Sequence, residues 1–261
     1  MKKRLLGVLV ALGLLAPLCE AKEPIKIPLG SGEEAAVLYV YPAEKSSGVA
    51  LVACPGGGYV MKAKDHEGFD FADELNNMGI TYGVVDYRLP KGQSEVPGDD
   101  ARKAIKVMRE HADEWGIKKT GIMGFSAGGH LASTVATHYD QASRPDFQIL
   151  FYPVITMNPE YTHMGSRTNL LGKNPSKELE EKYSNELQVT ADTPPALIFH
   201  CTDDDVVPVA NAVNYYTALQ KNGVSATLHI FPTGGHGWGF RDSFEYKSQW
   251  FPIFRDWLSR R

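Results

Sequence analysis

Short apolar runs rich in β-branched and aromatic residues alternate with longer stretches of helical periodicity from one end of this chain to the other. The strand-like runs are AVLYVY (36–41), VALVAC (49–54), ITYGVVDY (80–87), TGIMGF (120–125), FQILFY (147–152), ALIFHC (196–201) and ATLHIF (226–231). Between them, residues 66–78, 98–115, 127–139, 208–222 and 243–259 carry apolar positions at helical spacing. Several runs are continuously apolar, as expected of strands covered on both faces. Such alternation predicts an α/β fold: a mostly parallel sheet with helices on both sides. In sheets of that kind ligands bind beyond the carboxyl ends of the strands, so the loops that follow strands are where function is expected.

The chain has 261 residues, 43% of them hydrophobic, which is enough for one full core. No repeat, low-complexity tract or linker divides it. The one interruption is residues 155–194, a polar insertion before the ALIFHC strand, with a short helical stretch around 176–183. A small lid over the site and a solvated loop are equally fair readings of it.

The amino terminus, MKKRLLGVLVALGLLAPLCEAKE, has basic residues, an apolar run from Leu5 to Leu18 and a small-residue end. That is the layout of a secretory signal peptide over residues 1–21, too short in its apolar part for a comfortable membrane span. The expected mature domain is therefore 22–261, secreted or periplasmic. A lipid-anchored Cys19 is the lesser alternative, because Leu18 before it is large for such a processing site. Removing residues 1–21, which carry Lys2, Lys3, Arg4 and Glu20, takes the formal charge from −4 to −6. Nothing in that balance favours nucleic acid or an anionic membrane. Cys54 and Cys201 remain, too few for a disulfide framework, and both end strand-like runs as buried free thiols would.

Gly124-Phe125-Ser126-Ala127-Gly128 matches G-x-S-x-G, with a strand before it and a helical pattern after it. A sharp strand-to-helix turn strains its central residue, and flanking glycines remove the side chains that would collide there. The hydroxyl of Ser126 is then held above the sheet as a nucleophile. Helix capping is the plain structural alternative for such a serine.

A serine hydroxyl needs a base within hydrogen-bond reach and a third group to orient that base. After a G-x-S-x-G turn the acid and then the histidine follow late strands. ALIFHC runs into TDDDVVP, and ATLHIF runs into PTGGHGWGF. His236, among Gly234, Gly235, Gly237 and Gly239, is the expected base. His66, His111 and His138 read as helical and solvated, His163 lies in the insertion, His200 and His229 belong to strands, and His130 serves structure. Asp203, Asp204 and Asp205 are rivals for the acid, and capping of the helix near Pro208 is the structural alternative for them. An oxyanion needs N–H donors. Cys54-Pro55-Gly56-Gly57-Gly58-Tyr59 follows the second strand-like run, and Gly57 and Gly58, with Ala127, are the expected donors. No Gly-Lys-Ser/Thr follows, so this is not a phosphate loop. The chemistry calls for no metal and no organic cofactor.

VVDYRLP (84–90), the PGGGY loop, GFSAGGHLAS, DDDVVPVANAVNYYTAL and GGHGWGF occur in this order. Together they resemble the α/β-hydrolase esterases, in particular secreted bacterial carbohydrate esterases related to acetyl xylan and feruloyl esterases, from about Val49 to Trp257. The resemblance implies the α/β-hydrolase fold with eight strands, Ser126 as nucleophile, His236 as base, and Asp204 as acid with Asp205 second. Pro55 departs from the His-Gly-Gly-Gly of lipase-like relatives, which leaves the anchoring of the loop open.

An acylated oligo- or polysaccharide is the expected partner, with acetyl the first choice of acyl group. Tyr59, Tyr87 and Trp238 are candidates for a sugar or acyl wall, with ordinary packing the alternative. The sequence carries no signal for an oligomeric state. Competing readings are a feruloyl esterase, a prolyl-oligopeptidase-type peptidase, a xylan-acting glycosidase and a hydrolase-like binding protein without chemistry. The peptidase lacks room for a propeller, the glycosidase lacks an outstanding carboxylate pair, and the binding protein is at odds with the presence of all three side chains.

Overall fold

The strand Val49–Cys54 (β3) turns the sequence pattern into a two-layered core. All six residues are buried, with Ala50, Val52 and Cys54 facing one hydrophobic cluster and Val49, Leu51 and Ala53 facing the other, because successive side chains of a strand point to opposite faces. The computed structural model describes residues 23–261. The expected signal peptide, residues 1–21, lies outside the described residues.

β3 sits inside an eight-stranded sheet with β1 (Ile25–Pro28), β2 (Val37–Tyr41), β4 (Thr81–Asp86), β5 (Lys119–Phe125), β6 (Gln148–Phe151), β7 (Ala196–Cys201) and β8 (Ala226–Phe231). The order is β1-β2-β4-β3-β5-β6-β7-β8. β2 pairs antiparallel with both β1 and β4, and every pairing from β4 across to β8 is parallel. The parallel part brings the carboxyl ends of β3, β5, β7 and β8 to one rim of the sheet.

Helices cover both faces. α2 (Glu95–Glu110), α3 (Ala112–Trp115), α4 (Ala127–Thr137) and α7 (Ala210–Lys221) contribute to one cluster, and α1 (Ala72–Asn77) and α8 (Lys247–Ser259) to the other. The second cluster is strongly aromatic, with Phe151 edge-on to Trp250 at 5.3 Å and stacked on Phe125 at 4.8 Å.

All seven strand-like runs form strands, and the eighth strand is β1. Three of its four residues are exposed, so it carries no apolar signature. The helical reading of 66–78 holds only for α1 and a 3₁₀ turn at Phe69–Phe71. Ahead of these, backbone bonds such as Ala63 N–H to the Gly56 carbonyl (3.0 Å) and Phe69 N–H to the Lys64 carbonyl (2.7 Å) wind the chain into turns.

The insertion at 155–194 is not a solvated loop. It forms α5 (Met164–Leu171), α6 (Lys177–Tyr183) and a 3₁₀ turn at Asn185–Leu187. Leu170, Leu171 and Tyr183 are buried in the first cluster. The fully buried Asn185 donates its amide to the His130 carbonyl, Ser133 Oγ and Thr134 Oγ1 of α4.

Candidate active site

β5 ends at Phe125, and the next residue, Ser126, has φ 53° and ψ −121° before α4 begins at Ala127. A non-glycine residue at positive φ is strained and persists only where its surroundings hold it. Here the Ser126 N–H donates to the Phe151 carbonyl at 3.1 Å, and its own carbonyl accepts from Val154 at 3.0 Å. The first turn of α4 passes so close to β3 that a Cβ on Gly128 would collide with the carbonyls of Cys54 and Pro55. The small residues of the motif are thus imposed by backbone contact, and Ser126 caps no helix through its side chain.

The loops after β7 and β8 meet this turn. His236 Nε2 lies 2.8 Å from Ser126 Oγ, and His236 Nδ1 lies 2.7 Å from Asp204 Oδ2. A carboxylate only accepts, so Nδ1 carries the proton, and Nε2 is left to accept from the serine hydroxyl. Asp204 is 7% exposed. Its other oxygen accepts from the N–H groups of Val206 (3.0 Å) and Val207 (2.8 Å), and the buried His200, whose Nε2 bonds to the Val207 carbonyl at 2.9 Å, also brings Nε2 within 3.2 Å of Oδ2. Burial works to raise the Asp204 carboxyl, but these donors outweigh it and hold it well below the usual carboxylate range.

The three aspartates therefore divide. Asp204 both braces its own turn and orients His236, whereas Asp203 accepts from Gly234 (3.1 Å) and Gly235 (2.9 Å), fixing the loop that leads into His236. Asp205 is exposed.

The glycine loop stands against the serine: a Cβ on Gly56 would lie 2.9 Å from Ser126 Cβ. Its carbonyls are all engaged. That of Pro55 accepts from Tyr87 Oη at 2.7 Å, that of Gly56 from Ala63 N–H, that of Gly57 from Val60 and Met61 N–H at 3.1 Å, and that of Gly58 from Asn169 Nδ2 at 2.8 Å. In a trans peptide the following N–H points the opposite way, so these bonds also fix the amides of Gly57 and Gly58. Among the described residues no acceptor takes the N–H of Gly57, Gly58 or Ala127, whereas that of Gly56 is engaged by Glu67 Oε2 at 2.7 Å. The anchoring that Pro55 left open is thus supplied by Tyr87, Glu67 and Asn169.

Tyr59, Tyr87 and Trp238 do not form a wall for a ligand. Tyr59 is 2% exposed and bonds through its hydroxyl to His130 Nδ1 at 2.9 Å. Tyr87 is fully buried under the Pro55 carbonyl, and Trp238 lies in the aromatic cluster, stacked on Phe244 at 4.1 Å. All three are next to site loops in sequence, but their rings turn into the core, where each strengthens the packing behind the site.

His130 is structural, as expected: fully buried, with Nε2 donating to the Tyr183 carbonyl at 2.8 Å, it links α4 to the insertion. Cys54 and Cys201 are buried free thiols, and burial pushes the latter up to about 12. Sequence reasoning missed Glu67, Tyr152, Asp203, His200 and Asn169. Of these, Asp203 was weighed only as a rival acid and His200 only as a strand residue, and the other three left no trace there. His163, set aside with the insertion, is half-buried at the start of α5, with its Cε1 3.6 Å from where a Gly58 Cβ would stand.

The BD-FAE family model matches residues 38–219. An acetylxylan esterase of Xylanibacter ruminicola is 40% identical over 252 residues, covering 94% of this chain and 52% of the relative. Endo-1,4-beta-xylanase B of Butyrivibrio fibrisolvens is 37% identical over 204 residues, covering 72% of this chain and 32% of the relative. The chain thus spans about half, or less, of the length of these curated relatives. Among solved structures, the acetyl ester-xyloside bifunctional hydrolase of Caldicellulosiruptor lactoaceticus superposes with a TM-score of 0.85 at 34% identity, covering 94% of this chain and 98% of that one. The sheet, the turn at Ser126 and the reach of the family match lead to one conclusion: this chain belongs to the BD-FAE family and has the α/β-hydrolase fold.

Proposed function

We propose that the chain is a serine carboxylic ester hydrolase that removes acyl groups, acetyl foremost, from an acylated xylan or related polysaccharide. The observation that carries the reading is the unbroken hydrogen-bond chain from Ser126 through His236 to Asp204. In this reading His236 takes the proton of Ser126 as the hydroxyl attacks the ester carbonyl. Asp204 keeps the imidazole in its Nδ1–H form and stabilises the cation that results. The tetrahedral oxyanion is held by the N–H groups of Gly57, Gly58 and Ala127. His236 returns the proton to the departing sugar hydroxyl, and water repeats the cycle to release the acid and free Ser126.

The acetyl and xylan parts rest on the relatives, a protein named acetylxylan esterase and a structure named acetyl ester-xyloside hydrolase. The test is acetate and ferulate release from decorated xylan oligosaccharides, with Ser126→Ala as control. Acetate release lost in the control is the expected result; ferulate release alone turns the assignment to a feruloyl esterase. The second reading, cleavage of xylosides at the same site, is favoured by the bifunctional name of a structure that this chain matches almost end to end. Release of nitrophenol from a nitrophenyl xyloside, lost in the same control, supports it. Export across a membrane is part of the proposal and rests on residues 1–21 of the sequence; no helix among the described residues is long and apolar enough to cross a membrane.

A further inference from the structure

Glu67 is a buried carboxylate beside the site with no part in the chemistry above. It is 3% exposed, and among the described residues no Lys or Arg forms an ion pair with it. An ionised carboxylate persists in such a place only where hydrogen-bond donors replace water. Here the donors belong to two different loops of the site. Oε2 accepts from the Gly56 N–H at 2.7 Å, and Oε1 accepts from the Tyr152 hydroxyl at 2.9 Å. The Tyr152 oxygen in turn accepts from the Gly239 N–H at 2.8 Å. A phenol has one proton, and Gly239 occupies the oxygen as a donor, so the Tyr152 proton points to Glu67, which accepts at both of its oxygens. Burial raises the Glu67 carboxyl, while the bonds from Tyr152 and Gly56 pull the other way.

The two ends of this chain matter to the reaction. Gly56 N–H and the Pro55 carbonyl belong to one peptide unit, and Glu67 and Tyr87 grip it from opposite sides. That peptide opens the glycine loop, whose Gly56, Gly57 and Gly58 carry no side chains to restrict the backbone. At the other end, Gly239 stands three residues after His236, and the Tyr152 ring packs edge-on to the imidazole with centroids 4.7 Å apart. Tyr152 holds φ 35°, a backbone strain that puts its ring there.

We propose that Glu67 is a positioning residue for ester hydrolysis: through Gly56 it fixes the oxyanion loop, and through Tyr152 and Gly239 it ties that loop to the one bearing His236. The inference rests on the esterase reading of the site. Because the oxyanion exists only near the transition state, misplacing its donors lowers kcat and leaves ground-state binding nearly intact.

The test uses the full chain, p-nitrophenyl acetate and an alkylboronic acid that forms a tetrahedral adduct with the serine. Glu67→Gln keeps the shape but offers one acceptor where two are needed. It is expected to lower kcat about 10- to 100-fold with KM within about threefold, and to weaken the boronic acid in step with kcat. Tyr152→Phe, which spares the Gly56 bond, is expected to lower kcat less, and the double variant no further than Glu67→Gln alone. A Glu67→Gln enzyme within about twofold of wild type, a loss shared equally by kcat and KM, or additive costs overturns the proposal. If Glu67→Gln does not fold, Tyr152→Phe alone decides, by a fall in kcat at unchanged KM or its absence. Wild-type turnover abolished by Ser126→Ala keeps the esterase reading whatever Glu67 does; no wild-type turnover removes both.

Discussion

Ser126 is held in a conformation its residue type avoids, and its neighbours are small because the backbone around it leaves no room. Gly128→Ala would drive a methyl into the Cys54 and Pro55 carbonyls of the neighbouring strand end, which is backbone and cannot turn aside. Overpacking of this kind costs about 1–3 kcal/mol or more, so the unfolding free energy from urea titration is expected to fall by that measure and the midpoint with it, with esterase activity falling as the turn shifts. His130 gives the second prediction at this scale. Burial pushes it down to about 4, against only partial support from the Tyr183 carbonyl, while the unfolded chain returns it to its ordinary value near 6.5. The native state then binds fewer protons than the unfolded state between these values, so its stabilising contribution is complete above about pH 6.5 and is lost as pH falls toward 4. The loss amounts to about 3 kcal/mol. His138, His163 and His229 are pushed down by burial too and act with the same sign. Urea unfolding repeated across this range is expected to show the slope, and His130→Asn to flatten part of it, whatever its effect on absolute stability.

Elements set which loops can meet, and the insertion shows how far an element can act from its own place in the chain. α5 carries Asn169, whose Nδ2 donates to the Gly58 carbonyl at 2.8 Å, so a helix inserted between β6 and β7 steadies the loop after β3. One such hydrogen bond contributes about 1 kcal/mol. Asn169→Ala is therefore expected to lower the thermal midpoint by about 2–4 °C and, as the loop loosens, kcat/KM for p-nitrophenyl acetate about fivefold; an unchanged kcat/KM dissociates α5 from the loop. None of this was legible in the sequence, because Asn169 lies in a polar stretch whose pattern suits solvent as well as packing. β3, β5 and β7 were legible because burial on both faces leaves a continuous apolar run, as in VALVAC and ALIFHC. β1 was not, being an exposed edge that owes its existence to pairing with β2. Ser126 and His236 were legible as residue types at strand ends, since strand order brings those ends to one rim, whereas the acid was legible only as one of Asp203, Asp204 and Asp205 until the family resemblance singled out Asp204. Tyr59, Tyr87 and Trp238 were misread for a related reason: proximity to a strand end says nothing about which way a ring turns, and burial turned all three inward. Glu67 had no signal at all, because a carboxylate in a turn looks solvated until the fold buries it.

At the scale of the molecule the site is the seam between two cores that share one sheet. The glycine loop, the Ser126 turn, and the loops of Asp204 and His236 all leave the same edge, while the side chains below them alternate between the aromatic cluster under α8 and the cluster under α2 and α4. A sheet whose every central strand contributes to both clusters cannot lose one and keep the other, so unfolding is expected to be a single cooperative event. The tryptophans report on this: Trp115 belongs to one cluster and Trp238 and Trp250 to the other. Ile105→Val on α2 and Phe254→Leu on α8 each shrink a fully buried side chain on opposite faces of the sheet. Each is expected to cost about 1 kcal/mol. Since the two positions share no packing partner cluster, the double variant should lose their sum within about 0.5 kcal/mol. Tryptophan fluorescence and far-ultraviolet circular dichroism should give the same urea midpoint in all three variants. Separate midpoints in either single variant would mean that the faces melt independently, and the rim would then have to hold Ser126, Asp204 and His236 together without the shared sheet beneath it.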